Sequence, residues 1–176
     1  MSKKGTYQWT NRSVRLLAQD QDPISAIEWK ARSVVLDAMD KGWRGPPYDP
    51  LSLADILNIK VEARADIPDA RTLTDQRGRL VIQFNPNRPR GRVRFSVAHE
   101  IAHTFFPDCS EEVRNRAHGK ATESDSWQLE MLCNIAASEI IMPVGSFSDV
   151  FNNNLDIEHL SGIQEKFDVS LEQFLS

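Results

Sequence analysis

Apolar residues recur at helical spacing near the start of the chain and predict two helices there. Asp22-Pro23 is typical of an N-cap followed by proline in the first turn, and apolar positions over residues 27–39 mark one face of a helix ending near Lys41-Gly42. Asp49-Pro50 repeats the start signal for a short second helix, which Asn58 is placed to end in a left-handed conformation. The first half of the chain is therefore predicted to open with helices.

The hydrophobic period changes to two after the second helix. Residues 59–63 alternate as a half-buried strand does, and residues 70–74 predict another strand. Residues 80–85 have the highest β-branched and aromatic content, so they predict the strongest strand. Prolines and arginines over residues 85–92 indicate a loop.

Helical spacing returns in the second half of the chain. It covers residues 93–106 and 127–142, each followed by a proline that cannot continue a helix. The polar stretch 108–126 between them is expected to be largely exposed, with room for a short helix. Residues 157–167 predict a further helix, and residues 170–173 have capping-box spacing for a last one.

Composition places the chain among ordinary globular proteins. Its 176 residues suit one domain, 40% are hydrophobic, and the net charge of −4 gives no global footprint for nucleic acid. No apolar run approaches a membrane span, and no signal peptide is apparent. We predict a flexible tail over residues 1–21 and a single domain over residues 22–176. The two cysteines, Cys109 and Cys133, are expected to be free thiols in a reducing cytoplasm.

Residues 99–103 read His-Glu-Ile-Ala-His, and this spacing predicts a metal site. Residues four apart on a helix lie about 6 Å apart along the axis and on one face, so His99 and His103 can reach one ion. Glu100 lies beside that face and is placed to act as a general base without being a ligand. Apolar residues fill the opposite face, so the helix can pack on one side and bind metal on the other.

A catalytic zinc site needs a third protein ligand and an open position. The acidic, histidine and cysteine residues downstream are the candidates, namely Asp108, Cys109, Glu111, Glu112, His118, Glu123, Asp125, Glu130 and Cys133. Glu130 is favoured because it lies on the next long helix, which can hold a ligand rigidly. Asn134, one turn on, is a candidate to support it. The alternative for Glu130 is a solvated helix glutamate.

Two blocks of the chain resemble motifs of the ImmA/IrrE metallopeptidases. Residues 92–103, Arg-Val-Arg-Phe-Ser-Val-Ala-His-Glu-Ile-Ala-His, are similar to the family's arginine-rich lead into its HExxH helix. Residues 130–143 are similar to its ligand glutamate, small residue and asparagine, small-residue pair and closing Met-Pro. The blocks agree in order and register, and the resemblance covers roughly residues 24–175.

The resemblance implies a fold, an activity and a partner. The fold would be a small zincin-like α+β domain, mostly helical, with a small twisted sheet next to the HExxH helix. Glu130 would be the third ligand to zinc, or to manganese, beside His99 and His103, and Glu100 the general base of a metallo-endopeptidase. The strand over residues 80–85 would be the edge that holds a substrate peptide. The implied substrate is a helix-turn-helix (XRE-type) repressor, whose cleavage would derepress stress-response or mobile-element genes.

Two other functions compete with peptidase activity. A non-catalytic metal-containing module would sequester a regulator, using the ligands but not Glu100. Direct DNA binding through the C-terminal helices is disfavoured by the acidic charge balance. The arginines of residues 88–94 are interpreted as a solvated loop and strand start, in preference to a contact surface for an acidic partner or for a DNA-bound repressor.

Cys133 stands where the resembled family usually has a small residue. It is interpreted as an inert buried residue, with a redox-sensitive thiol or an alternative metal ligand as the other readings. For the second oxyanion donor, His118, Arg94 and the tyrosines are the candidates, and their spacing does not choose among them.

Overall fold

The computed structural model describes residues 8–117, 124–147 and 157–169, apart from the side chains of 116, 147 and 157–160. Three strands and seven helices are present in these ranges, in the order α1 (Arg12–Ala18), α2 (Pro23–Asp40), α3 (Pro50–Ile56), β1 (Lys60–Ala63), β2 (Ala70–Thr74), β3 (Leu80–Phe84), α4 (Arg90–His103), α5 (Cys109–Ala117), α6 (Ser126–Ile141) and α7 (Ile157–Phe167). A short 3₁₀ turn, Val144–Phe147, follows α6. The predicted α+β class, mostly helical with a small sheet, is confirmed, and the predicted helix over residues 170–173 lies outside the described residues.

The helix ends form where the sequence predicts them. The Asp22 carboxylate accepts a hydrogen bond from the Ser25 amide at 2.9 Å, and Asp49 caps α3 in the same way. Asn58 adopts a φ of 57° just after α3, and Gly42 adopts a φ of 98° after α2. Such left-handed residues turn the chain out of a helix, so the two predicted stops are confirmed.

Helix α1 is an element that the sequence analysis missed. It lies within residues 1–21, for which we predicted a tail, and the Asn11 side chain caps it by accepting from the Val14 amide at 3.2 Å. Val14 is fully buried in the core. Seven residues are too short a window for helical periodicity to stand out from polar surroundings. No helix in the described ranges has both the length and the apolar character of a membrane span.

Helices α4 and α6 pack against each other at the centre of the molecule, and α2 covers the other side of α6. Their contact includes small residues, Ala98 and Ala102 on α4 and Ala136 and Ala137 on α6, all fully buried. Alanines let two helix backbones approach closely, so polar side chains at the margin of this contact can meet. That margin carries the candidate site.

The sheet has the strand order β1-β3-β2, with β1 parallel and β2 antiparallel to β3. The prediction that residues 80–85 form a substrate-binding edge is therefore wrong, because both sides of β3 are already paired. The high apolar content that made β3 the strongest predicted strand is the composition that a central strand needs, and Val81 and Ile82 are buried. Among the described residues the edge strands are β1 and β2, and α5 contacts β2.

Arg94 is buried, which corrects its interpretation as a solvated residue, whereas the side chains of Arg88, Arg90 and Arg92 are exposed. Arg94 is only 6% exposed, and its guanidinium donates to the carbonyls of Tyr48 at 2.7 Å and Phe167 at 2.6 Å, and to that of Asp168. It thereby joins α4 to the connector before α3 and to the end of α7. The other three also have partners within the chain: Arg88 with the Pro68 carbonyl, Arg90 with Asp168 and Arg92 with Asp69.

Candidate metal centre

The two histidines of the HExxH motif meet at the solvent margin of α4. His99 and His103 project from one face of the helix, as their spacing predicts, and their Nε2 atoms lie 3.2 Å apart. His103 is buried, and His99 is partly covered by the ring of Phe95. Two imidazole nitrogens at this separation can share one ion.

Glu130 of α6 completes a triangle with the histidines. Its Oε2 lies 3.0 Å from Nε2 of His99 and 3.6 Å from Nε2 of His103. Ligands about 2.0–2.1 Å from a tetrahedral ion are about 3.3 Å from one another, so the three atoms fit around a single divalent metal. The helix pairing thus brings together the three residues that the sequence and its family resemblance suggested.

Cys133 lies one turn beyond Glu130 and also reaches the histidines. Its Sγ and a ring nitrogen each of His99 and His103 all lie within 4.8 Å of one another, which makes these three residues a candidate metal site. Cys133 is fully buried, whereas the Glu130 side chain is about half exposed. The sulfur therefore approaches from the core and the carboxylate from the side of the solvent.

Asn134 has a different partner from the one expected. We predicted that it would support Glu130, but its Oδ1 lies 2.9 Å from Nδ1 of His99. An amide oxygen only accepts hydrogen bonds, so Nδ1 donates and the lone pair of the neutral ring is left on Nε2. Asn134 therefore turns the metal-binding nitrogen of His99 toward His103 and Glu130.

Replacing Asn134 by alanine is expected to weaken zinc binding by about 10–100-fold, because ligand histidines depend on the partner of their second ring nitrogen. Asn134→Asp keeps an acceptor for Nδ1 and is expected to retain most of the affinity. Competition against a chromophoric zinc chelator measures both. Equal affinity of wild type and Asn134→Ala would show that the hydrogen bond does not orient a ligand.

The electrostatics of the cluster favour a cation between its members. Close contacts with His103 and His99 hold the pKa of Glu130 well below its ordinary value. Burial alone would lower the pKa of His99, but the hydrogen bond to Glu130 and the charge of that carboxylate outweigh it and raise the pKa. A divalent metal would supply the positive charge that these contacts favour, and it has to displace the proton of His99 to bind.

Glu100 lies next to the cluster without joining it. Its carboxylate is 9% exposed, and its Oε2 accepts a hydrogen bond of 2.6 Å from Oγ1 of Thr72 on β2. The sequence analysis missed Thr72, because a threonine on a strand gives no sign of which polar group it meets. The candidate base is thus held by a second element of the fold.

A groove opens beside Glu100 and the histidines. It has a volume of about 750 Å³ and is bounded by the start of β2, one face of α4 and the residues after α7. Its lining includes Asp69, Ala70, Phe95, Ser96, His99, Glu100, Asn134, Asp168 and Val169. This volume is in the range of ligand-binding clefts, and it reaches both the candidate base and a candidate ligand.

Three of the other candidate ligands are engaged elsewhere. Near α1, Ser13 donates to Asp108 at 3.0 Å, Arg12 pairs with Glu111, and Asn11 donates to Asp125. His118 and Glu123 lie outside the described residues. Two candidates for the second oxyanion donor are also occupied, because Arg94 meets backbone carbonyls and the Tyr48 hydroxyl lies 2.9 Å from Ser146.

Comparison with known proteins agrees with this geometry. No curated protein matches the chain. Residues 54–176 match a family model described as Peptidase M78, IrrE N-terminal-like domain. The matched range contains β2, the HExxH helix and α6, and thus every residue of the cluster. This chain therefore belongs to the ImmA/IrrE family of metallopeptidases.

Proposed function

We propose that the chain is a metal-dependent endopeptidase that cleaves a helix-turn-helix repressor of the XRE type, and so derepresses stress-response or mobile-element genes. The observation that supports peptidase activity is the placement of Glu100, a buried carboxylate beside the cluster of His99 and His103 and on the wall of an open groove. The repressor as substrate rests on the family resemblance, and a cytoplasmic place of action rests on that resemblance and on Cys109 and Cys133, which form no disulfide.

His99, His103 and Glu130 are the residues that we assign to the metal, with zinc as the ion and manganese as the alternative, since both suit this ligand set. When bound, the ion supplies Lewis-acid chemistry, which acidifies water and polarises a peptide carbonyl. Glu100 takes the proton of the attacking water and passes it to the departing amine as the peptide bond breaks. The groove beside α4 holds the substrate chain on the side from which Glu100 is reached.

This function can be tested by labelling and identifying the N-termini of all proteins in cells of the native host. Cells that express wild type are expected to contain a new N-terminus within a helix-turn-helix repressor, and cells that express His103→Ala are expected to lack it. Glu28→Ala, a control replacement on the exposed side of α2, is expected to behave as wild type. The same set of N-termini in wild-type and His103→Ala cells would contradict the proposal.

One observation favours a second candidate function. If Cys133 joined His99, His103 and Glu130, four protein ligands would surround the ion, and such closed sites are typical of structural zinc. The chain would then be a metal-containing module that sequesters a regulator without cutting it. A buried glutamate on the wall of the groove beside the site, held by a hydrogen bond from Thr72, has no use in such a module, so we place the peptidase first.

A further inference from the structure

Thr72 makes a side-chain hydrogen bond to the candidate general base. Its Oγ1 donates to Oε2 of Glu100 at 2.6 Å, a length typical of a hydroxyl bound to a carboxylate. Both residues are nearly inaccessible, at 7% and 9% exposure. They are far apart in sequence, so the contact exists only because β2 packs on α4.

The position of Thr72 on its strand makes this hydroxyl rigid. Thr72 pairs with Ile82 across the sheet, and Ile82 pairs in turn with Val61, so the three side chains share the face that packs on α4. Such a position ordinarily takes an apolar residue. A β-branched side chain packed there has little freedom about its first torsion, so the hydroxyl keeps one direction.

The consequence concerns which oxygen of Glu100 takes part in proton transfer. A carboxylate on a free side chain rotates and presents either oxygen. With Oε2 held by Thr72, the torsion of the carboxylate is set and Oε1 is the atom left to accept a proton. A general base has to be within hydrogen-bonding reach of the proton it removes, so this restraint acts directly on its efficiency.

We infer that Thr72 is a positioning residue of this peptidase, which orients the Glu100 carboxylate for proton transfer through a hydrogen bond from the neighbouring strand. The inference rests on the proposed function of Glu100 as the base. It gives the sheet a role in the reaction in addition to its packing against α4. A purely structural role, in which the hydrogen bond only ties β2 to α4, is the alternative.

Acetohydroxamic acid is a probe that needs no knowledge of the substrate. It binds divalent metals through two oxygens after it loses its hydroxyl proton, and a correctly placed carboxylate accepts that proton. We would titrate it into Co²⁺-loaded protein and follow the visible spectrum. The variants are Thr72→Val, Thr72→Ser and the matched control Thr74→Val, which lies on the same face of β2. Each is made with Glu100 and with Glu100→Ala.

Thr72→Val is expected to weaken hydroxamate binding by about tenfold, the effect of one hydrogen bond to a charged group. Thr72→Ser keeps the hydroxyl and is expected to bind within about twofold of wild type, as is Thr74→Val, since neither loses a hydrogen bond to Glu100. In the Glu100→Ala background, Thr72→Val is expected to have no further effect, because the two residues act as a unit.

Three results would overturn the inference alone: wild-type affinity in Thr72→Val, an equal loss in Thr72→Ser, or the same loss with and without Glu100, which would indicate a structural role. A wild-type protein that takes up no cobalt would overturn the proposed metal site and this inference with it. Cobalt uptake with normal binding by Thr72→Val would leave the proposed function standing.

Discussion

Glu100→Gln is expected to lose peptide-bond hydrolysis while it keeps its metal. Loss of a general base lowers kcat by about 10²–10⁴-fold, which corresponds to about 3–5.5 kcal/mol of transition-state stabilisation. The amide oxygen of glutamine can still accept the hydrogen bond from Thr72. The fold and the cluster of His99, His103 and Glu130 should therefore be preserved. The measurements are single-turnover cleavage of the repressor found by N-terminal labelling, and metal content by elemental analysis.

Glu139→Gln is a matched control for this variant. Glu139 is also 9% exposed, and it lies on α6, where its carboxylate meets Arg32 and the Val144 amide away from the metal cluster. The same chemical change at the same burial is expected to leave the cleavage rate unaltered. Cleavage by Glu100→Gln at the wild-type rate would remove Glu100 from the mechanism. Regulation that survives in cells expressing Glu100→Gln would favour the sequestering module.

Local patterns in the sequence predicted the elements that carry the site. The spacing of His99 and His103 requires only helical geometry to bring their rings together, and apolar periodicity identified α4 and α6 to within a few residues. Glu130 was favoured by its place on the next long helix, and the family resemblance implied the same residue. Its nearness to the histidines depends on the packing of α4 against α6, which a pattern of single helices does not contain.

The contacts that cross between elements were the ones missed. The strand predicted over residues 70–74 contains Thr72, but the contact of Thr72 with Glu100 depends on where the sheet lies against α4. Asn134 was predicted to support Glu130 but contacts His99, because its partner also depends on how the elements pack. Arg94 was expected in solvent because charge indicates exposure, and its carbonyl partners come from the end of α7 and from the connector before α3, which only the packing brings together.

The error about β3 has another origin. Strand strength and edge position were treated as compatible, although the apolar content that makes a strand conspicuous also favours its pairing on both sides. A substrate strand, if one is added to this sheet, has to use β1 or β2. Ala70, at the start of β2, lines the groove beside Glu100, which makes β2 the better candidate.

The most consequential question left by the structure is whether Glu130, Cys133 or both residues complete the ligand set. Glu130 has the shorter contacts, at 3.0 and 3.6 Å, while the sulfur of Cys133 is within 4.8 Å of the ring nitrogens. Either residue together with the two imidazoles leaves an open position, whereas both residues together close it. The ligand set therefore decides between a catalytic and a structural metal.

Wild-type protein is expected to bind one zinc. Glu130→Ala and His103→Ala are expected to lower the zinc affinity by more than about 100-fold, the largest loss expected for a residue that only supports a ligand. Cys133→Ala removes a buried sulfur but no ligand, so it should keep full stoichiometry, as should the surface control Glu28→Ala.

Loading with Co²⁺ separates the ligand sets independently, because a thiolate ligand produces a strong sulfur-to-cobalt charge-transfer band in the near ultraviolet and nitrogen and oxygen ligands do not. We expect no such band. A band that disappears in Cys133→Ala, together with normal metal content in Glu130→Ala, would transfer the third position to Cys133 and leave Glu130 as a neighbour of the histidines.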